Sequence, residues 1–163
     1  MTSYTSNLED AIWCNDRSVR NLYGWNPTDG VINYDLEFAS KARITSSTYL
    51  PTLTCNKNDA FTVNDTTNGN GKLTYPIGLL TADEVQFAGG NSTTTSNSDF
   101  YLYGKSFYTM TPSHLYNGTP RIWVLNNIGK LDISLTGSYG LYPAISLKQG
   151  TQFLPGGDGT ANN

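Results

Sequence analysis

Residues 77–90 read Ile-Gly-Leu-Leu-Thr-Ala-Asp-Glu-Val-Gln-Phe-Ala-Gly-Gly, and the stretch spells the start, body and stop of one short helix. Thr81 is placed to cap the first turn, and Glu84, three residues on, reaches back to the Thr81 amide in a reciprocal capping box. Asp83 and Glu84 both fall in the first turn, where the positive end of the helix dipole favours carboxylates. Val85 and Ala88 form an apolar stripe with Phe87 to one side, and Gly89 supplies a left-handed stop. Isolated helices shorter than about 12 residues are marginal in water, so this one has to dock on a larger body.

Downstream of the helix the chain reads as that body. Phe100-Tyr-Leu-Tyr, Phe107-Tyr-Thr-Met, Arg121-Ile-Trp-Val-Leu, Lys130-Leu-Asp-Ile-Ser-Leu and Tyr142-Pro-Ala-Ile-Ser-Leu are short aromatic and branched runs separated by Gly, Pro and Asn, the composition of strands. In the fourth run Leu131, Ile133 and Leu135 share one face, and Lys130, Asp132 and Ser134 the other. Asn126-Asn-Ile-Gly reads as a hairpin connection. Residues 89–99, Gly-Gly-Asn-Ser-Thr-Thr-Thr-Ser-Asn-Ser-Asp, read as an exposed, mobile polar loop.

Upstream, residues 7–19 predict a helix capped by Asn7, with Glu9 and Asp10 in its first turn and Leu8, Ala11, Ile12 and Trp13 as its apolar face. Gly24 and Asn26-Pro27 are turn signals, and residues 34–44 alternate too loosely to separate helix from strand. Phe61-Thr-Val and Leu73-Thr-Tyr flank Asn64-Asp-Thr-Thr-Asn-Gly-Asn-Gly as short strands, which predicts a long hairpin or an Ω-type loop. The fold class is α+β, with helices early and an antiparallel sheet late.

The chain of 163 residues is one domain's worth, since a domain near 150 residues already buries about 68–70% of its unfolded surface. Charged residues make up 14% and aromatic residues 12%, with 11 tyrosines. Such a surface is rich in hydroxyl and amide groups. A formal charge of −3 and the lack of a basic stripe argue against a nucleic-acid partner, because that binding neutralises phosphates with Lys and Arg. No segment approaches the roughly 20 apolar residues of a membrane helix, so no membrane insertion is expected. Met1-Thr-Ser-Tyr-Thr-Ser has neither the basic start nor the apolar run of a signal peptide. A secreted form is therefore expected to be a piece of a longer chain or a phage structural product.

Cys14 and Cys55 are too far apart for a CxxC motif, and with His114 as the lone histidine the chain lacks the four ligands of a structural zinc site. A disulfide and two inert buried thiols are both open. The extracellular character of the rest favours the disulfide, which would close a loop of about 40 residues for roughly 4 kcal/mol in chain-entropy terms. Enzymatic signals are weak. Ser113 or Ser106 with His114 as base can be drawn, but adjacent residues rarely make a triad and no Gly-x-Ser-x-Gly elbow is present. Asp83 and Glu84 are better explained as helix-start residues than as a carboxylate pair. No catalytic residue, metal site or cofactor is expected. Asn64, Asn91 and Asn117 open glycosylation sequons of a kind common by chance in a chain rich in Thr and Asn.

Recognition is the better-supported use of the surface. Tyr101, Tyr103, Tyr108, Tyr116, Trp123, Tyr139 and Tyr142 crowd together in sequence with His114, Asn117, Arg121, Asn126 and Asn127. Tyr and Trp offer large contact area at low entropic cost, Asn adds adaptable hydrogen bonds, and Arg is a frequent hot spot. Trp123 and Tyr139 are the rings most readily assigned to a core, while Tyr108, His114, Tyr116, Arg121 and Tyr142 are expected at the surface. The candidate ligand-binding set is Tyr101, Tyr103, Tyr108, His114, Tyr116, Asn117, Arg121, Trp123, Asn126 and Tyr142.

A hydrophobic strand end, Thr-x-x-Glu, an apolar helix and a glycine stop resemble the second helix of the C-type-lectin-like fold, in the variant shared with formylglycine-generating enzymes. Phe107-Tyr-Thr-Met-Thr-Pro-Ser, Arg121-Ile-Trp-Val-Leu-Asn-Asn-Ile-Gly-Lys-Leu, Ser138-Tyr-Gly-Leu-Tyr-Pro-Ala-Ile-Ser-Leu-Lys and Gly156-Gly-Asp-Gly-Thr are similar, in that order, to a domain of surface and prophage-encoded proteins of gut Firmicutes. The resemblance runs from about Asp10 to the C-terminus. It implies one C-type-lectin-like domain over residues 1–155, a Gly-rich tail or linker over 156–163, and display outside the cell or on a virion. It brings no assigned activity. The late redox cysteines of formylglycine-generating enzymes have no counterpart after Cys55, and the calcium-holding Glu-Pro-Asn, Gln-Pro-Asp and Trp-Asn-Asp strings of C-type lectins do not occur. Asp158 offers one carboxylate where calcium takes roughly six to eight oxygens. The aromatic and amide surface leads to the expectation of a non-enzymatic module for a glycan or protein ligand, and the resemblance implies a scaffold type able to carry hypervariable surfaces. The alternative is a structural domain of a surface fibre, pilus or phage tail.

Overall fold

The computed structural model describes residues 4–20, 35–45, 50–64, 71–93, 96–116, 119–134 and 137–152. The turn signals at 24–27, Asn117 and the tail expected at 156–163 lie outside them. The architecture is α+β. In chain order the elements are β1 (Leu8–Glu9), β2 (Trp13–Cys14), β3 (Asp35–Glu37), α1 (Ala39–Thr45), β4 (Ala60–Thr62), β5 (Gly71–Lys72), β6 (Ile77–Leu79), α2 (Ala82–Phe87), β7 (Phe107–Tyr116), β8 (Thr119–Leu125), β9 (Leu131–Ser134) and β10 (Pro143–Leu147). They make a four-stranded sheet in the order β3-β7-β8-β9 and two three-stranded sheets, β1-β10-β6 and β2-β4-β5.

The helix forms as its sequence dictates. Thr81 accepts from the Glu84 amide at 3.0 Å, and Glu84 accepts from the Thr81 amide at 2.7 Å. Thr111 on β7 accepts from the Ala82 amide at 2.9 Å, so the sheet satisfies another donor of the first turn. At the far end Gly90 N–H bonds to Val85 carbonyl and Gly89 N–H to Gln86 carbonyl, with Gly89 at φ +106°, the Schellman arrangement. The buried face differs from the expected stripe: Ala82, Asp83, Val85 and Gln86 are buried, whereas Ala88 and Phe87 are exposed. Ala88 is the cap residue, already turning away from the sheet.

Val85 and Ala82 pack with Ile44, Phe100, Phe107, Trp123, Leu125 and Leu131 in one core between the helices and the four-stranded sheet. Trp123 is only 1% exposed, so it leaves the candidate contact set and belongs to this core. The β8–β9 hairpin is built as its turn residues predict. Asn126 Oδ1 accepts from the amides of Ile128 (3.2 Å) and Lys130 (3.0 Å), and Gly129 takes φ +74°. Asn126 is therefore a turn residue with its side-chain oxygen engaged inside the turn.

Three expectations are corrected. No helix forms over 7–19. Leu8 and Glu9 pair with Leu147 and Ser146, and Trp13 and Cys14 pair with Phe61 and Ala60. Ile12, placed on the buried face of that helix, is 66% exposed, and Asp10 accepts from the amides of Val63 and Asn64 instead of opening a helix. Pairing partners far along the chain override the local pattern. β4 and β5 run parallel, Phe61 opposite Gly71 and Thr62 opposite Lys72, which a hairpin cannot give. Residues 101–104 form a turn rather than a strand, anchored by buried Phe100. The described part of the polar loop is tied to the body: Ser92 Oγ donates to Ile44 carbonyl at 2.7 Å, and Asn97 Nδ2 to Gly89 carbonyl at 2.8 Å. Its short polar side chains bond to backbone as readily as to water. The ambiguous segment 34–44 holds both candidates, strand β3 followed by helix α1.

Candidate functional site

A hollow among the described residues lies between α1, α2, β2 and the segment around Cys55, with a volume of about 290 Å³. Its charged wall is Arg43, from the last turn of α1. Arg43 donates from Nε and Nη2 to the two carboxylate oxygens of Asp83, each at 3.0 Å, and from Nη1 to Asp16 at 2.8 Å. Asp83 also accepts from the Thr52 amide at 2.9 Å. Burial by itself would raise the Asp16 carboxyl, but hydrogen bonds from Ser18 and the Arg43 guanidinium outweigh it and hold Asp16 below the usual carboxylate value. Burial likewise works against the charged form of Arg43, and Asp83 and then Asp16 push its value upward.

Cys14 and Cys55, joined in a disulfide with Cα atoms 5.7 Å apart, form a second wall. Trp13 forms a third, seated against Gly78: a Cβ there would lie 2.4 Å from Trp13 Cδ2, so the strand can only pass under the indole as glycine. Leu53 and Ile12, both 66% exposed, stand at the rim. The polar groups of this hollow are largely spent on one another, which makes it a structural joint between the two helices and the N-terminal strands. Sequence reading missed it. Arg43 sat in a segment of undecided type, Asp16 within the span of a helix that does not form, and no spacing links either to Asp83.

The candidate contact residues do not form one face. Tyr101, Tyr103, Tyr108 and Tyr142 collect where β7 begins and β8 ends. Phe107 pairs with Leu125 there, Gly104 N–H bonds to Asn127 carbonyl, and the Tyr142 ring lies 5.2 Å from that of Phe107. Tyr108 stacks edge-on with Tyr139 and donates to Gly137 carbonyl at 2.5 Å, so both rings are half-buried and engaged within the fold. Exposed at this end are Tyr101 (72%), Leu141 (70%), Tyr103 (44%) and Tyr142 (43%).

His114, Tyr116 and Arg121 sit at the other end of the β7–β8 hairpin. Tyr108 and Tyr116 are eight positions apart along one strand, roughly 25 Å at the usual rise. His114 pairs with Glu37 on one side and Arg121 on the other, giving a row of three charged or titratable residues across the sheet, with Lys41 paired to Glu37. Ser113 Oγ lies 3.0 Å from His114 Nδ1, but Ser113 is wholly buried, so no substrate carbonyl can reach the hydroxyl. Asn117 lies outside the described residues.

Among the described residues no group of three or more His, Cys, Asp or Glu side chains is placed to hold a metal ion, and no helix is long and apolar enough to cross a membrane. No family model, curated protein or solved structure matches this chain.

Proposed function

We propose that this domain is a non-enzymatic ligand-recognition module of C-type-lectin-like architecture, displayed on a bacterial or phage surface. It takes a glycan or protein ligand on the Tyr101, Tyr103, Leu141 and Tyr142 end of its main sheet. The observation that carries this reading is the exposure of each of those four large side chains at the end of the sheet where Phe107 pairs with Leu125. Rings held on a rigid sheet end lose little entropy on binding. The capping-box helix docked on an antiparallel sheet supports the architecture, and the disulfide is in keeping with an oxidising compartment.

The test is binding of the purified domain to glycan arrays and intact bacterial cells, with and without chelator, beside two double variants. Tyr101→Ala/Tyr142→Ala is expected to weaken binding at least tenfold while folding is unchanged. Undiminished binding in that variant, with loss in His114→Ala/Arg121→Ala, would move the site to the hairpin end and defeat the assignment.

One observation favours the assembly alternative. On the β1-β10-β6 sheet Ile77 lies opposite Ile145, and both are exposed along with Leu147. An apolar sheet face of this kind also suits a neighbouring copy. Concentration-dependent association in sedimentation, together with no binding to any cell or glycan, would favour a structural role.

A further inference from the structure

The β1-β10-β6 sheet turns its small residues inward and its large apolar ones outward. Gly78 on β6 pairs with Ala144 on β10, and Trp13 is seated against Gly78, so the inner side has room only for small side chains there. Side chains alternate along a strand, which puts Ile77 and Leu79 of β6, Pro143, Ile145 and Leu147 of β10 and Leu8 of β1 on the opposite side. Pairing sets them next to one another: Ile77 opposite Ile145, Leu79 opposite Pro143 and Leu8 opposite Leu147. None of the six has a polar side chain. Ile77 is 41% exposed, Ile145 49% and Leu147 38%; Pro143 is exposed, and Leu8 and Leu79 are half-buried. An antiparallel sheet with one free face ordinarily turns polar residues to it, and this sheet does the reverse.

We infer that a second copy of this chain covers this face, the two β1-β10-β6 sheets packing against each other about a twofold axis. The exposed fractions of the six residues leave roughly 400 Å² of aliphatic surface, within the range of about 300–600 Å² for the largest patch on a monomer. A standard interface takes about 800 Å² from each partner, and about 65% of a homodimer interface is apolar. The face therefore supplies most of the apolar part of one such interface. With no charged or hydrogen-bonding side chain among the six, it has nothing with which to orient a partner of different chemistry. Its own twin it does fit. Two aliphatic sheet faces interdigitate about 10 Å apart, and a twofold axis brings the same patch of each copy into contact. Such a dimer rests on the exposed Ile77–Ile145 pair and stands apart from the Tyr101 and Tyr142 end, so either can fail without the other.

The experiment is sedimentation velocity of the purified domain from the micromolar to the millimolar range, beside Ile145→Lys and Leu53→Lys, with isotope-filtered NMR on mixed labelled and unlabelled copies. Both substitutions are at exposed positions outside the core, and only the first is on the sheet face. The expected results are a dimer with intermolecular contacts among the methyl groups of Ile77, Ile145 and Leu147, and association weakened roughly tenfold or more in Ile145→Lys, where a charge would be buried without a partner. Leu53→Lys should associate as the unchanged protein does. Ligand binding by the monomeric Ile145→Lys variant then reads the Tyr101 end by itself. Three results would overturn the inference: a monomer throughout whose face methyls stay open to a soluble paramagnetic probe, which leaves the face bare; a monomer whose face methyls are shielded, which gives the face to another segment of the same chain; or a dimer undiminished in Ile145→Lys, which places the contact elsewhere.

Discussion

Arg43 joins two acids that are distant in sequence and adjacent in space. Asp83 is 4% exposed and takes two hydrogen bonds from the guanidinium, so it does more than complement a helix dipole. Removing one partner of a buried pair leaves the other charge uncompensated, and Arg43→Met is expected to lower stability by about 3–5 kcal/mol, read from urea unfolding at neutral pH. Asp16 adds a pH dependence. Its folded value is depressed, so its contribution is complete above the unfolded carboxylate value and is lost as pH falls through the lower folded one. The stability difference between the protein and Asp16→Asn should therefore be largest at neutral pH and shrink below about pH 4. A difference that stays constant down to strong acid would mean that the Asp16 charge contributes nothing. At this scale the sequence was a poor guide. The first-turn position of Asp83 already accounts for a carboxylate there, and nothing local announces that an arginine 40 residues earlier will meet it.

At the scale of elements, α2 is the part that could be read most completely, because each of its signals acts over a few residues. Cap, box and glycine stop are all present. Thr81→Ala removes the acceptor of the Glu84 amide and half of the reciprocal pair, and should lower stability by about 1 kcal/mol in urea unfolding. An unchanged midpoint would show that water replaces the cap without loss. The β8–β9 hairpin was legible for the same reason, since Asn126 and Gly129 carry the turn. The strands of the N-terminal third were not. Leu8, Ile12 and Trp13 fit a helical stripe, yet Leu8 answers to Leu147 and Trp13 to Phe61 and Gly78. Strands of two residues have too little sequence to show a period.

Across the whole molecule, β1 returns to β10, and the disulfide ties β2 to the segment beside α2, so the N-terminal third is held by contacts made late in the chain. Closing 41 residues constrains the unfolded state, and reduction, or Cys14→Ser/Cys55→Ser, should lower stability by about 4 kcal/mol. A loss below about 1 kcal/mol would mean that the strand pairings alone hold this part together. The sequence by itself determined the α+β class, the capped helix and its stop, the late hairpin and an aromatic surface rich in tyrosine. Each rests on residues within a few positions of one another or on composition alone. Only the tertiary structure decided that β4 and β5 run parallel and that Arg43 bridges Asp16 and Asp83. It alone divided the tyrosine, histidine and arginine set between two ends of one hairpin. These depend on register and on pairings between distant segments, where a one-residue shift changes which face a side chain takes.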